Sequence, residues 1–416
     1  MLIRCIFVVF CFISFNAVSD TRLLLRGSIL SADNADTFQI NGASHQRFEN
    51  NAVALSQAVL AYNKVISDDW QLHAVANGYS GGEQKVGVSQ LYTQYRPLTA
   101  STIKPEVKLG FFYPAISAEN TDMGWLSPHF LSNSAINSWI GEELRTFGVE
   151  ASLRQNGRQV RRDWSWKVIG SLFKGNDTTG TLLSWRGFAL HDRQSLNNDR
   201  VKFTPIPGVV SEAGIGAPAW TDPFREIDTK TGYYVGAHLA HKRRSELRYY
   251  YYDNRANPLI FDPDRIYAWR TRFHAFTLRH MRNRNVTFFG QGLIGDTLMG
   301  ENIVNNDFYA AYIAATYTHE AHQLSTRLDW YQVIDNDNTI DDPNNSRGKA
   351  ITVNYTYAMS SKIALSAEWQ VNRGRQENLR FLNATSVSSE TFHENLLQLA
   401  VTYRIDWTEL IIVTIR

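Results

Sequence analysis

The stretch LLQLAVTYRIDW at residues 396–407 alternates between two kinds of side chain. Leucine, valine, tyrosine, isoleucine and tryptophan occupy every second position from 397 to 407, whereas the positions between them are mostly polar or small. Successive side chains of a β-strand point to opposite faces, so the stretch predicts a strand with one apolar and one water-exposed face. A strand of a soluble β-sandwich has the same pattern, so this segment alone does not separate the two classes.

Repetition of the pattern along the chain separates a soluble sandwich from a membrane barrel. From about residue 22 onward the chain repeats strands of this kind, at the roughly 9 to 11 residues that a tilted strand needs to cross a bilayer. No segment after the N-terminus approaches the roughly 18 uninterrupted apolar residues of a membrane-spanning helix. The sequence therefore predicts an all-β fold, a transmembrane antiparallel β-barrel with short periplasmic turns and long extracellular loops.

The strand count follows from parity. About seventeen segments alternate clearly, among them one at Leu183–Ala189, and a barrel with both ends in the periplasm needs an even number of strands. A further short strand near Val201–Thr204 restores the alternation of short and long connections. We therefore expect about 18 strands, with about 16 as the alternative.

The N-terminus is typical of a secretory signal peptide. It has a basic residue at Arg4, an apolar run over residues 5–15 and small residues at Ala17 and Ser19, which predicts a signal over residues 1–19. Both cysteines fall inside it, so the mature chain is expected to contain no disulfide. No linker divides the remainder, and we predict one barrel domain at 20–407 and a tail without an assigned role at 408–416.

The alternation of strand residues stops after Pro114. Residues 114–141 have no strand pattern, yet they include apolar side chains such as Trp125 and Trp139, which argue against disorder. An irregular segment of this length inside a compact domain is usually functional. We predict that the segment at about 114–141 is a loop folded into the barrel.

Charged residues at alternate strand positions indicate the lumen, because Arg or Lys facing lipid at mid-bilayer costs about 2–4 kcal/mol. On this basis the densest inward basic row is Arg270, Arg272 and His274. A ring of bases attracts anions, whereas bases that pair with lumen acids would only stiffen the wall. The candidate pore-lining residues are Lys108, Glu119, Asp122, Glu142, Lys167, Arg186, Arg248, Arg270, Arg272, His274 and Arg327.

A last strand that ends on an aromatic residue, here Trp407, resembles the closing strand of Gram-negative outer-membrane β-barrels. The acidic inward loop opposite a basic wall resembles general porins, and the size of the chain is similar to that of phosphate-selective porins. The resemblance implies an outer-membrane location in a Gram-negative bacterium, contact with outer-membrane lipid, and passive diffusion of small hydrophilic solutes with a modest preference for anions. It leaves a homotrimer open.

Other functional classes have weaker support. A formal net charge of only +2 argues against a nucleic-acid partner. The sequence lacks GxSxG, P-loop and dinucleotide-binding motifs, so we predict no cofactor, no metal site and no enzymatic activity. An outer-membrane hydrolase stays an alternative, because a Ser–His pair on a barrel wall needs no local motif, and His73, His238 and His274 are its candidates. A structural or adhesive outer-membrane protein is a further alternative.

Overall fold

The computed structural model of the chain describes residues 19–33, 44–48, 50–197, 199–211, 215–382 and 390–407. The predicted signal peptide falls almost entirely outside the described residues, and the predicted tail at 408–416 falls wholly outside them. Both therefore stay predictions.

The wall of the barrel consists of antiparallel strands, and the first strand pairs with the last to close it. In chain order the sixteen wall strands are β1 (Ser19–Ala32), β2 (Ala52–Val65), β3 (Trp70–Gly78), β4 (Val86–Tyr95), β5 (Ile103–Phe112), β6 (Thr146–Gln155), β7 (Trp164–Lys174), β10 (Gly232–His241), β11 (Ser245–Asp253), β12 (Arg270–Met281), β13 (Val286–Met299), β14 (Val304–His319), β15 (His322–Asp335), β16 (Ser346–Ala358), β17 (Ile363–Gln376) and β18 (Thr391–Asp406). Two short strands, β8 (Val201–Lys202) and β9 (Trp220–Thr221), pair only with each other.

The favoured count of 18 strands is wrong and the alternative of 16 is confirmed. The strand expected near 201–204 is β8, which lies outside the wall, so β7 pairs directly with β10. The strand expected at Leu183–Ala189 is instead a short helix between Gly180 and Gly187, both with positive φ. Glycine tolerates this backbone region, so the two residues let the chain turn sharply into and out of a helix.

The helices are short and lie in the connections. They are α1 (Ala135–Glu143), α2 (Thr181–Arg186), α3 (Pro207–Val210) and α4 (Leu379–Leu382), with single 3₁₀ turns at Met123–Trp125 and Gly157–Val160. Within the described ranges, no helix combines the length and the apolar character that a membrane crossing requires.

The outer face of the wall is apolar. On β18, Leu397, Leu399 and Val401 are exposed at the barrel surface, whereas Gln398 and Thr402 between them are buried inside. This is the facing that the alternation of 396–407 predicts. A closed wall satisfies every strand-to-strand hydrogen bond, and its apolar exterior suits a hydrocarbon environment.

The two ends of the barrel differ. The connections β2–β3, β10–β11, β12–β13 and β14–β15 are short turns, and they lie at the end where β1 starts and β18 finishes. The opposite end has the long connections, including 175–231 between β7 and β10. In bacterial barrels short turns face the periplasm, which orients the chain.

The interior of the barrel is a packed core. Trp139 of α1 is buried in this core and makes edge contacts with Phe188, Phe273 and Phe308, whose ring centroids are 6.2, 5.5 and 5.3 Å away. Phe273 and Phe308 belong to the wall, and Phe188 follows α2. Apolar side chains thus line both faces of the sheet in this region.

Candidate functional site

The connection between β5 and β6 lies inside the barrel, and the loop predicted at about 114–141 falls within it. Nearly all of residues 113–145 are buried, and we call this segment the inward loop. Its helix α1 is preceded by the N-cap residue Ser134, whose Oγ accepts a hydrogen bond from the backbone N–H of Asn137 at 3.2 Å. This N-cap satisfies a donor that the first helical turn leaves free.

Carboxylates of the wall hold the inward loop through its backbone. Glu368 on β17 accepts hydrogen bonds from the N–H groups of Leu131 and Ser132 at 2.7 and 2.9 Å. Asp329 on β15 accepts one from Ala135 at 3.0 Å. The N–H groups that donate these bonds have no partner within a helix or strand, so the wall carboxylates satisfy donors that would otherwise be buried without a partner.

A central ion cluster joins the loop to β15. Arg327 donates to Glu119 of the inward loop at 2.5 Å and to Asp329 at 2.8 Å, and all three side chains are 0 % exposed. Its remaining N–H groups bond to the carbonyl groups of Ser132 and Asn133. The predicted pore-lining residues Glu119 and Arg327 therefore form a buried cross-link between loop and wall.

A second inward segment reaches the lumen from the connection after β7. It begins at about residue 176, includes α2, and is buried through residue 196. Sequence reasoning missed it, because Leu183 and Trp185 have strand spacing. The glycines at 180 and 187 were the available signal for a change of direction.

Glu142 and Glu143 at the end of α1 tie this second segment to the loop. Glu142 lies 2.6 Å from the Arg186 guanidinium and 3.1 Å from Nε2 of His191. Burial alone would raise the pKa of Glu142, but these neighbours lower it to about 2. Glu143 has no cationic partner among the described residues, and burial raises its pKa to about 7 although Leu182, Trp139 and Gly180 donate hydrogen bonds to it.

The periplasmic half of the lumen contains a water-accessible cavity. A cavity of about 260 Å³ lies between the wall and the loop, with His73, Tyr92, Asp122 and Trp125 among its lining residues. Lys108 reaches its edge, with Nζ 5.8 Å from the centre of the Tyr92 ring. Lys167 and Arg248 also lie on the inner face and are partly exposed. We call this space the periplasmic chamber.

Two ion pairs in the chamber expose the base and bury the acid, whereas in a third, between Arg248 and Glu246, the base is 15 % and the acid 25 % exposed. Lys108 is 14 % exposed and its partner Glu150 1 %, at 3.1 Å. Lys167 is 20 % exposed and its partner Glu106 4 %, at 3.6 Å. On the loop side, Asp122 pairs with Arg404. The positive end of each lysine pair lies nearer to an ion in the chamber than the negative end does, and the interaction weakens with distance, so the pair attracts anions.

Three of the predicted pore-lining residues, all on β12, face the outside of the barrel. On β12 the side chains of Thr271, Phe273 and Thr277 are buried, and Thr277 Oγ1 donates to the carbonyl of Ile116 in the inward loop at 2.8 Å. Arg270, Arg272 and His274, at the alternate positions, therefore lie on the outer face. The prediction of an inward basic row on β12 is wrong, because the apolar residues there face a packed lumen and not lipid.

The outward residues of β12 have partners on the same face. Arg272 lies 2.8 Å from Asp296 of β13, and Nδ1 of His274 lies 2.8 Å from the hydroxyl of Tyr249. Arg272 is at the extracellular end of its strand, where a charged pair outside the hydrocarbon layer costs little.

One group of carboxylates has the geometry to hold a cation. Oxygens of Asp177, Glu226 and Asp228 lie within 4.8 Å of one another. The backbone N–H groups of Ile227 and Asp228 already donate to Oδ2 of Asp177, and burial raises the pKa of this carboxyl to about 6. We assign no metal to this group.

Comparison with known proteins gives a likeness of structure. No protein-family model matches the sequence, and the search of curated proteins also found no match. OmpF of Salmonella typhi in complex with daunomycin is similar at a TM-score of 0.54 and 10 % identity, over 94 % of this chain and 98 % of that chain. OmpT of Vibrio cholerae in a trimer form gives 0.53 and 10 %, over 94 % and 99 %. OprB of Pseudomonas putida gives 0.52 and 10 %, over 93 % and 94 %.

The likeness concerns the fold, which these bacterial proteins share with this chain along nearly its whole length. Together with the closed wall and its apolar exterior, it confirms the predicted porin-like β-barrel and its place in an outer membrane.

Proposed function

We propose that this outer-membrane β-barrel is a channel for the passive diffusion of small hydrophilic solutes, with a modest preference for anions. The observation that carries the proposal is the unequal exposure of two ion pairs in the periplasmic chamber, Lys108 with Glu150 and Lys167 with Glu106. Lys108 and Lys167 meet water while Glu150 and Glu106 lie behind them. A low-dielectric wall concentrates this field on the solution in the chamber.

The inward loop and the second inward segment limit the flow. They pack around Trp139 and the Arg327 cluster, so buried side chains fill the central layer of the lumen. We propose that solutes pass this layer when the loop moves, and that the chain conducts less in its resting state than a barrel of the same strand number with a loop that only narrows the lumen.

Planar bilayers test the proposal. The purified chain should give discrete conductance steps and, under a salt gradient, a reversal potential that favours anions and weakens as ionic strength rises. Lys108→Gln combined with Lys167→Gln should shift the potential toward cations. Arg272→Ser is the matched control, because this side chain lies on the outer face and its loss should leave the potential unchanged. A chain without conductance in any loop state would refute the proposal.

We also propose a homotrimer. OmpT of Vibrio cholerae is described in a trimer form, and the outer face of this chain has a shallow apolar groove at β1, β17 and β18, with Gly27, Leu365 and Leu399 among its lining residues. Protein copies could bury this groove against each other. Light scattering of the detergent complex would give the mass, and a monomer at all concentrations would exclude the trimer.

An outer-membrane hydrolase has one observation in its favour. Ser245 Oγ lies 2.9 Å from Nδ1 of His280 on the exposed periplasmic edge of the barrel. The histidines that the sequence suggested have other neighbours: His73 bonds to Asn63 and His238 to Tyr250. Ester hydrolysis in detergent that disappears in Ser245→Ala would favour this second function over our proposal that the chain has no enzymatic activity.

A further inference from the structure

Basic residues concentrate in three neighbouring periplasmic turns, which we call the basic rim. These turns join β6 to β7, β10 to β11, and β12 to β13. Backbone hydrogen bonds join them, from the N–H of Lys242 to the carbonyl of Asp163 at 2.8 Å and from that of Met281 to Arg244 at 2.7 Å. The rim contains the exposed residues Arg158, Arg161, Arg162, Lys242, Arg243, Arg244, Arg282 and Arg284.

Acidic residues hardly balance the basic rim. Asp163 is the one acid in these three turns, and it lies 3.1 Å from Lys242. In the part of the chain that the structure describes, no carboxylate lies within ion-pair distance of the other seven bases. Two other periplasmic turns have the opposite character, with Asp68 and Asp69 between β2 and β3 and Glu320 between β14 and β15. The positive charge is thus local to one arc and open to an external anion.

An apolar groove of about 690 Å³ lies on the lipid-facing wall next to the rim. It exists because Gly290 and Gly292 of β13 have no side chains between the larger neighbours Phe276, Phe288 and Ile313. A Cβ at Gly292 would meet nothing within 4 Å. The groove descends to His280, two residues before Arg282 of the rim.

We propose that the rim and the groove together bind an anionic phospholipid of the periplasmic leaflet. The phosphate of the headgroup would lie against Arg244, Arg282 and Arg284, and an acyl chain would fill the groove beside Gly292. Each Lys or Arg near an anionic membrane surface adds to the attraction, and the groove adds apolar contact that a soluble anion cannot make. A cell-wall polymer or an acidic protein would use the rim alone and leave the groove to bulk lipid.

Native mass spectrometry of the delipidated full chain in dodecyl maltoside tests the proposal. Titration with dioleoyl phosphatidylglycerol should give a saturable adduct, and dioleoyl phosphatidylcholine should bind at least about tenfold more weakly, because its headgroup has no net negative charge. Arg244→Gln with Arg282→Gln and Arg284→Gln should reduce the phosphatidylglycerol adduct by about tenfold or more and weaken its dependence on salt. Lys85→Gln with Arg255→Gln and Lys362→Gln removes the same charge from exposed sites elsewhere and should leave the adduct unchanged.

The groove has its own variant. Gly292→Phe should displace the acyl chain and weaken the adduct, whereas Gly170→Phe, at an outward glycine of β7 that also has open space around it, should not. Heat-modifiable gel mobility verifies that every variant folds. Glycerol 3-phosphate serves as a soluble phosphate without acyl chains, and equal competition by this anion at the same concentration would overturn the lipid assignment. Equal binding of both phospholipids would also overturn it. So would a rim triple variant that no longer binds isolated cell-wall sacculi but still binds the lipid.

Discussion

The guanidinium of Arg327 on the barrel wall lies 2.5 Å from the carboxylate of Glu119 on the inward loop, and neither side chain is exposed to water. Asp329, two residues from Arg327 on the same strand, shares this guanidinium and accepts the N–H of Ala135. A buried ion cluster stabilises the fold only when all of its charged groups are present, because each buried charge is costly without its partners.

We expect Arg327→Ala to release the inward loop. Two buried carboxylates would lose their cation, a change that costs about 3–5 kcal/mol when a buried pair is broken. Single-channel conductance should rise, and protease should cut within 113–145. Arg347→Ala, on the exposed outer end of β16, is the control. Wild-type conductance together with full protection of the loop would contradict the role given to the cluster.

Trp139→Ala should loosen the same loop by a different route. Removal of a fully buried aromatic side chain costs about 3–5 kcal/mol and leaves a cavity between α1 and the wall. Hydrogen exchange of residues 135–143 should accelerate while that of β13 and β14 stays slow. Trp330→Ala provides the comparison, since this side chain is exposed on the outer face. Identical exchange in the two variants would mean that the aromatic cluster does not hold the loop.

The loop should respond to pH through Glu143. Burial raises the pKa of this carboxyl from 4.5 to about 7, so its folded form favours the proton. Its contribution to loop stability is therefore complete below about pH 4.5 and is lost as the pH rises through about 7. Hydrogen exchange of α1, corrected for intrinsic rates, should show more opening at neutral than at mildly acidic pH, and Glu143→Gln should remove the difference.

The contribution of Glu142 depends on pH in the opposite direction, so the effects of the two carboxyls can be measured separately. Its pKa is lowered to about 2, so its ion pair with Arg186 contributes above the ordinary value of 4.5 and is lost as the pH falls toward 2. Glu142→Gln should consequently weaken the loop at neutral pH and leave the response to Glu143 in place. If the single Gln variant at 142 abolished the response near pH 7, the assignment of the two groups would be reversed.

A charge on the lipid-facing side of β18 should impair assembly more strongly near the middle of the bilayer than near its surface. Leu399 lies near the middle of the strand and Ile405 near its periplasmic end. Leu399→Lys should lower the free energy of unfolding by about 2–4 kcal/mol, and Ile405→Lys by about 1 kcal/mol or less. Refolding yield into vesicles, followed by gel mobility, measures both. Equal losses at the two sites would show that β18 does not cross the bilayer as described.

The sequence predicts the outer face well, because lipid demands apolar residues at every second position, as at Leu397, Leu399 and Val401. It predicts the inward facing of Lys108, Lys167, Arg248 and Arg327 for the same reason. The rule fails on β12, where Phe273 faces an interior filled by Trp139. A period of two shows that a strand has two faces, but an apolar lumen removes the difference that tells which face is outside.

The sequence predicts the inward loop, but it does not predict the second inward segment of the lumen. Leu183 and Trp185 fit either a strand or one turn of helix, and the choice depends on contacts with residues far away in the chain, such as Glu143 with the N–H of Leu182. Arg186 could be recognised as an inward base, but its partner Glu142 comes from another connection. Short apolar runs of this kind are ambiguous between the two structures.

The aromatic packing around Trp139 bears on the order in which the protein can be made. The inward loop precedes eleven of the wall strands that come to surround it, and the pairing of β1 with β18 is the last contact of the wall that synthesis makes available. We expect the growing sheet to curl around the loop as around a template, with the seam closing only after Trp139 has met Phe273 and Phe308. A chain that closed early would trap an empty cylinder whose apolar inner patches face water, and its escape would require the seam to reopen.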